Sequence, residues 1–147
     1  MDTTSEIQKR NVELTRVGFE AYDAGDYETL TELLDPDVEV HADSELINGG
    51  DFHGHQGFMR WNAQWIDAWG EFRNELRSVE AIGERFILAD VHQVARGAGS
   101  GVDVEMDVCW AIEVVGGRVW RMHIYVTRDR AISAIERWRA EGRSADT

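Results

Sequence analysis

The sequence predicts an α+β domain in which helices pack on one face of a mostly antiparallel sheet. Three observations predict it. Apolar periodicities follow one another in the order helix, helix, strand, helix, four strands, helix. Gly97-Ala98-Gly99-Ser100-Gly101 and Gly116-Gly117 separate the last three strands as hairpin turns do. No linker, repeat or low-complexity run divides the 147 residues, so they read as one domain, long enough to bury a core.

Each element has a local reason. A first helix is expected over residues 5–24. Ser5-Glu6-Ile7-Gln8 has capping-box spacing, Ile7, Leu14, Val17, Ala21 and Ala24 recur at helical intervals, and Gly25 closes the run. Asp26 caps a short second helix carrying Leu30, Leu33 and Leu34, which must stop before Pro36. Residues 38–42 alternate as a strand, and the polar, glycine-bearing stretch 43–54 reads as a loop. A third helix over 56–69 lines up Phe58, Trp61, Trp65 and Trp69 on one side. Strands are expected over 76–82, 85–96, 102–115 and 118–127. A closing helix over 129–142 carries Ala131, Ile132, Ile135 and Trp138.

Composition narrows the functional classes. Hydrophobic residues make up 43 % and charged residues 29 %, the balance of a soluble folded domain. No apolar run approaches the ~20 residues of a membrane span. The opening MDTTSEIQKR lacks the basic-then-apolar order of a signal peptide, which predicts a cytoplasmic protein. A net charge of −13 argues against nucleic acid and against anionic membrane surfaces as partners. Cys109, the single cysteine, excludes an internal disulfide and reads as a small buried hydrophobe within a strand. Six tryptophans beside one proline are the unusual feature, and they fit either a cavity wall or ordinary core and dimer contact.

Several segments together resemble a known family. They are Tyr22-Asp23-Ala24-Gly25-Asp26 at the end of the first helix, the run Leu33-Leu34-Asp35-Pro36-Asp37-Val38-Glu39, and Gly54-His55-Gln56-Gly57. Ser100-Gly101 before a long strand, Gly117-Arg118-Val119 at the hairpin and the closing Tyr125 complete the set. In this order, over nearly the whole chain, they resemble SnoaL-like proteins of the NTF2-like superfamily. The resemblance implies a cone-shaped barrel, a strongly curved sheet wrapped around helices to enclose an apolar pocket, and commonly a homodimer packed through the sheet. It implies enzymes that need no metal or cofactor and use a carboxylate or imidazole in the pocket. The superfamily also includes non-catalytic binders, so fold alone does not assign activity.

Pairing across Gly116-Gly117 places Val115 opposite Arg118, Trp110 opposite His123 and Val108 opposite Tyr125. One face then carries Trp110 and Ile112 with His123 and Tyr125, and the other carries Asp107, Cys109 and Ala111 with Trp120, Met122 and Ile124. Both are largely apolar, as expected if one lines a pocket and the other meets a second subunit. Similarity to the ketosteroid isomerases implies that the Asp107/Cys109 face is the inner one. The same similarity puts the isomerase tyrosine at Gly18, its base at Ala42 and its second acid at Cys109, none of which matches. The Tyr-x-Asp of cyclase-like members is here Tyr125-Val126-Thr127, which lacks the aspartate.

The expected site therefore rests on the remaining groups. Asp107, among apolar neighbours, is the candidate acid/base; His123, or an Asp90–His92 pair sharing one strand face, would assist it. Tyr22, Trp61, Trp65, Trp69, Trp110, Trp120, Met122 and Tyr125 are the candidate pocket walls. His41, His53 and His55 lack metal-ligand spacing, and His55 reads as ordering the start of the third helix. The expected ligand is a small hydrophobic molecule. Two functions stand side by side, a cofactor-free isomerase, cyclase, dehydratase or hydrolase, and a non-catalytic binding or dimerisation module.

Overall fold

The computed structural model describes residues 3–46, 49–97 and 99–146. The elements are α1 (Thr3–Ala24), α2 (Tyr27–Leu33), β1 (Leu34–Ala42), β2 (Gly50–His53), α3 (Gly54–Ala68), β3 (Trp69–Ile82), β4 (Phe86–Gly97), β5 (Asp103–Val115), β6 (Arg118–Tyr125) and α4 (Arg128–Asp146). The strands form one sheet in the order β2-β1-β6-β5-β4-β3, antiparallel except where β1 runs parallel to β6. Among the described residues no helix is long and apolar enough to cross a membrane.

Local chemistry accounts for most boundaries. Gly25 adopts φ 72°, the left-handed turn that ends α1, and the Asp26 carboxylate then accepts the Thr29 N–H at 3.2 Å to cap α2. α1 begins before Ser5, so the capping-box serine stands inside the first turn. β1 begins at Leu34 and runs through Pro36, because its register with β6 shifts between Leu34 and Glu39, where a residue without an N–H costs no ladder bond. Gly116 and Gly117 both take positive φ, as a tight hairpin requires.

Four expectations need correction. The stretch read as a loop contains β2, a four-residue edge strand paired with β1. β3 starts at Trp69, well before residue 76. A register irregularity between Leu76 and Ser78 interrupts its alternation, which left only its second half visible. α4 runs through Gly142 to Asp146. Finally, the sheet is not closed into a barrel: β2 and β3 remain its two edges. α3 touches β1, β2 and β3, so it lies across both ends of the curled sheet.

The core has two layers. On the inner face Val40, Met122, Ile124, Trp110, Ile112, Ala89 and Val91 meet residues of α1, α2 and α3 such as Tyr22, Leu30, Phe58 and Trp61. On the outer face Phe86, Leu88, Cys109, Ala111 and Tyr125 are covered by Ala131, Ala134, Ile135 and Trp138 of α4. The helices thus occupy both faces, three on one and one on the other. Part of the second apolar face, the cluster from Phe86 to Tyr125, is covered by the chain's own last helix.

Candidate functional site

A cavity of about 60 Å³ lies between α1, α2 and the inner face of the sheet. α1 contributes Leu14, Thr15, Gly18, Phe19 and Tyr22 to its wall, and α3 contributes Phe58. The sheet contributes Asn74, Trp110, Ile112, Val119 and Met122. Helical spacing brings Gly18 and Tyr22 onto one face of α1, and strand alternation does the same for Trp110 and Ile112. The volume exceeds the ~10–15 Å³ that one water needs but falls far short of the ~300–1,000 Å³ of sites for drug-sized ligands.

The cavity wall is apolar with few polar groups, and two of these are unsatisfied. The Tyr22 hydroxyl and the Trp110 indole N–H are buried and have no hydrogen-bond partner among the described residues. Burial, reinforced by Tyr27 and Asp23, holds the Tyr22 hydroxyl well above its ordinary pKa, so it stays protonated as a donor. Thr15 is already engaged, its hydroxyl donating to the Asn11 carbonyl at 2.8 Å. Asn74 is engaged at both ends: it accepts from Gln93 at 3.1 Å and donates to Asp23 at 2.8 Å.

Of the expected wall residues, Tyr22, Trp110 and Met122 line this cavity. Trp61 stands one layer behind, 6.0 Å from the Tyr22 ring and 6.1 Å from the Trp110 ring. Trp65 and Trp69 pack on each other at 5.6 Å in the core beyond it. Trp120 is half-buried, and Tyr125 belongs to the outer layer beneath α4.

None of the expected acid/base residues lines the cavity. The β5–β6 register explains part of this. Val115 does face Arg118, but a shift between Glu113 and Val114 pairs Trp110 with Ile124 and Cys109 with Tyr125. Trp110 and Ile112 therefore share the inner face with Met122 and Ile124, and Asp107 and Cys109 point outward. Asp107 is 84 % exposed and bonds to His92 Nδ1 at 2.7 Å. His92 also reaches Glu105 at 3.3 Å, and bonds to Asp107 and then Glu105 raise its pKa. Asp90 and His92 share a face as expected but do not pair: Asp90 accepts from Ser78 at 2.7 Å and Arg128 at 2.6 Å.

His123 joins a polar cluster on the outer face. It bonds to Glu39 through Nε2 at 2.7 Å and to the Tyr125 hydroxyl through Nδ1 at 2.9 Å. Its ring meets Trp138 edge-on at 4.8 Å, and His41 lies 4.9 Å away. Burial lowers its pKa, against the opposing pull of Glu39. His41 pairs with Asp51 at 2.7 Å, and His55 donates to the Leu34 carbonyl at 3.0 Å, tying the start of α3 to β1. Among the described residues no group of three or more His, Cys, Asp or Glu side chains is arranged to hold a metal ion.

Two residues near the cavity escaped the sequence reading. Asn74 lies in the half of β3 that was not recognised, although Phe72, Asn74 and Leu76 alternate with charged residues there. Asp23 directly follows Tyr22 and accepts both the Asn74 side-chain N–H and, at 3.1 Å, its backbone N–H. Asp23 also borders an open cleft of about 900 Å³, along with Phe72, Arg73, Ala95 and Arg96.

Comparison with known proteins agrees with this architecture. Bal32a, from a soil-derived mobile gene cassette, superposes with a TM-score of 0.73 at 24 % identity, over 81 % of this chain and 90 % of that one. A putative SnoaL-like polyketide cyclase from Jannaschia sp. CCS1 gives 0.74 at 17 % identity, over 92 % and 97 %. A putative ketosteroid isomerase from Kribbella flavida DSM 17836 gives 0.68 at 17 % identity, over 86 % and 82 %. At these identities the likeness is one of fold. No curated protein matches the sequence significantly. Residues 16–122, which carry the cavity wall from Gly18 to Met122, match the SnoaL-like domain, and the chain belongs to that family.

Proposed function

We propose that this protein binds a small, mostly apolar molecule bearing a carbonyl-type oxygen in the α1–sheet cavity and acts on it without a cofactor. The observation that carries this reading is the pair of buried, unpartnered donors, Tyr22 and Trp110, in a wall whose other polar side chains, Thr15 and Asn74, are already hydrogen-bonded. A buried donor without an acceptor costs roughly 1–3 kcal/mol, and a ligand oxygen between the two would remove that penalty. Donors fixed in a low-dielectric site also stabilise negative charge developing on that oxygen, the role of an oxyanion hole. Tyr22 stands one helical turn beyond Gly18, on the same face of α1. Asp23 is the base of this reading: it is exposed on the cleft side, and its carboxylate reaches the site only when its bonds to the cavity-lining Asn74 open. The reaction class is proton abstraction next to a carbonyl.

Acetophenone in heavy water tests this reading. Enzyme-dependent uptake of deuterium into its methyl group is expected, with Tyr22→Phe slowing it by ~10²-fold and Asp23→Asn abolishing it. Tyr22→Phe should also erase the preference for acetophenone over its hydrocarbon isostere α-methylstyrene. An unchanged preference in Tyr22→Phe would overturn the donor assignment. A second reading, non-catalytic binding, is favoured by the absence of any carboxylate or imidazole from the cavity wall. Donor-dependent binding with no deuterium uptake would select it.

A further inference from the structure

The cavity and the open cleft approach each other at the contact between α1 and β3. Tyr22 and Asn74 stand on the cavity side, Phe72 and Asp23 on the cleft side. The Phe72 ring lies 5.7 Å from the Tyr22 ring, and Asp23 holds Asn74 through two hydrogen bonds of 2.8 and 3.1 Å. Resting on the binding reading above, we propose that Phe72 is the access and size-limiting residue of the site. Its ring closes a passage from the cleft into the cavity, the Asp23–Asn74 pair latches that passage, and a ligand longer than the cavity extends past Phe72 toward Trp65.

Three features support this assignment. The cavity is too small for most ligands, so the room must come from a side chain that moves, and Phe72 is half-buried with an open cleft beside it. Swinging its apolar ring breaks no hydrogen bond of its own, so the bonds that opening must release are the two between Asp23 and Asn74. Phe72 also lies on the edge strand β3, just after a register irregularity between Trp69 and Glu71, where backbone adjustment disturbs a ladder on one side only. Beyond it the Trp65 ring sits 5.7 Å away, with an indole N–H that is buried and has no partner among the described residues. An acceptor on a ligand reaching through the passage would satisfy that donor. Opening the latch also frees the Asp23 carboxylate, which ties access to the proposed chemistry.

The test measures association rates of acetophenone and α-methylstyrene by stopped-flow tryptophan fluorescence. Phe72→Ala should raise both rates by ~10-fold or more, and Phe72→Trp should lower both. Phe72→Leu serves if the alanine variant fails to fold. Because the gate acts on entry and the donors on oxygen, the two readings fail separately. Faster entry of both probes, with the acetophenone preference unmoved by Tyr22→Phe, keeps the gate and removes the donors. A Tyr22-dependent preference with entry rates unchanged in every Phe72 variant overturns the gate. Failure of Phe72→Ala to bind either probe also overturns it, since the widened passage would admit a single ring.

Discussion

Glu113 is 2 % exposed, and two arginines meet it there. Arg85 donates to one of its oxygens. Arg121 Nε lies 2.9 Å from the other, too poorly aligned for a hydrogen bond, so that contact is electrostatic. Arg121 in turn covers the Trp138 ring at 4.6 Å, which links the ion pair to α4. Removing one partner of a fully buried pair costs ~3–5 kcal/mol. Arg85 is half exposed and can turn to water, so Glu113→Gln should cost less, ~2–3 kcal/mol. Urea denaturation checks this: the midpoint should fall with the slope unchanged. A loss below ~0.5 kcal/mol, the range of ordinary surface substitutions, would mean that the cluster contributes no net stability.

At the scale of elements, α4 is the lid on the outer layer, and Cys109 reports on it. Burial, with Asp90 beside it, pushes the Cys109 thiol up to about 12. The thiolate is the nucleophile that attacks thiol reagents, so labelling of this buried, protonated thiol must wait until α4 lifts. Trp138→Ala removes a buried ring that packs on Phe86 and His123 and should cost ~3–5 kcal/mol. Labelling of Cys109 should then accelerate by ~10²-fold or more, at tenfold per 1.4 kcal/mol. Equal labelling rates in the variant and the parent would show that α4 does not guard the thiol. The helix itself was legible from the spacing of Ala131, Ile135 and Trp138. Its side of the sheet was not, because β5 and β6 are apolar on both faces and alternation cannot say which face a distant helix will cover. The β6 register was hidden for a related reason. A single extra residue near Trp120 restores an apolar pattern on either side of the shift, so the turn glycines alone gave a pairing that holds for Val115–Arg118 and Val114–Val119 and fails from Glu113 onward.

For the whole molecule, the walls of the site were more legible than its chemistry. Tyr22, Trp110 and Met122 announce burial by their periodicity, whereas a carboxylate in an apolar strand looks alike on either face. Asp90, His92, Asp107 and His123 all emerged on the outer face, where two of them shape the pH response of the fold in opposite directions. His123, lowered mainly by burial, titrates in the folded chain below the 6.5 of an unperturbed histidine. On acidification the unfolded chain takes its proton first, so stability falls from about pH 6.5 down to the folded pKa. The groups around it are Glu39 and His41 from β1, Arg121 and Tyr125 from β6, and Trp138 from α4. His92, raised by Asp107 and Glu105, binds its proton more tightly when folded. Its contribution is complete below about pH 6.5 and disappears as pH rises through the folded pKa. Urea midpoints of the parent chain, His123→Gln and His92→Gln at pH 5.5, 6.5 and 7.5 separate the two. His123→Gln should flatten the acid loss, although it lowers stability throughout by breaking the bonds to Glu39 and Tyr125. His92→Gln should steepen that loss and leave stability at the alkaline end nearly unchanged. Parallel profiles for all three chains would mean that neither imidazole is coupled to folding, and that acid sensitivity comes from carboxylates such as Asp43. Burial pushes Asp43 up, but bonds from Arg130 and the Val126 N–H outweigh it and hold the carboxyl low, so its contribution would be lost only at still lower pH.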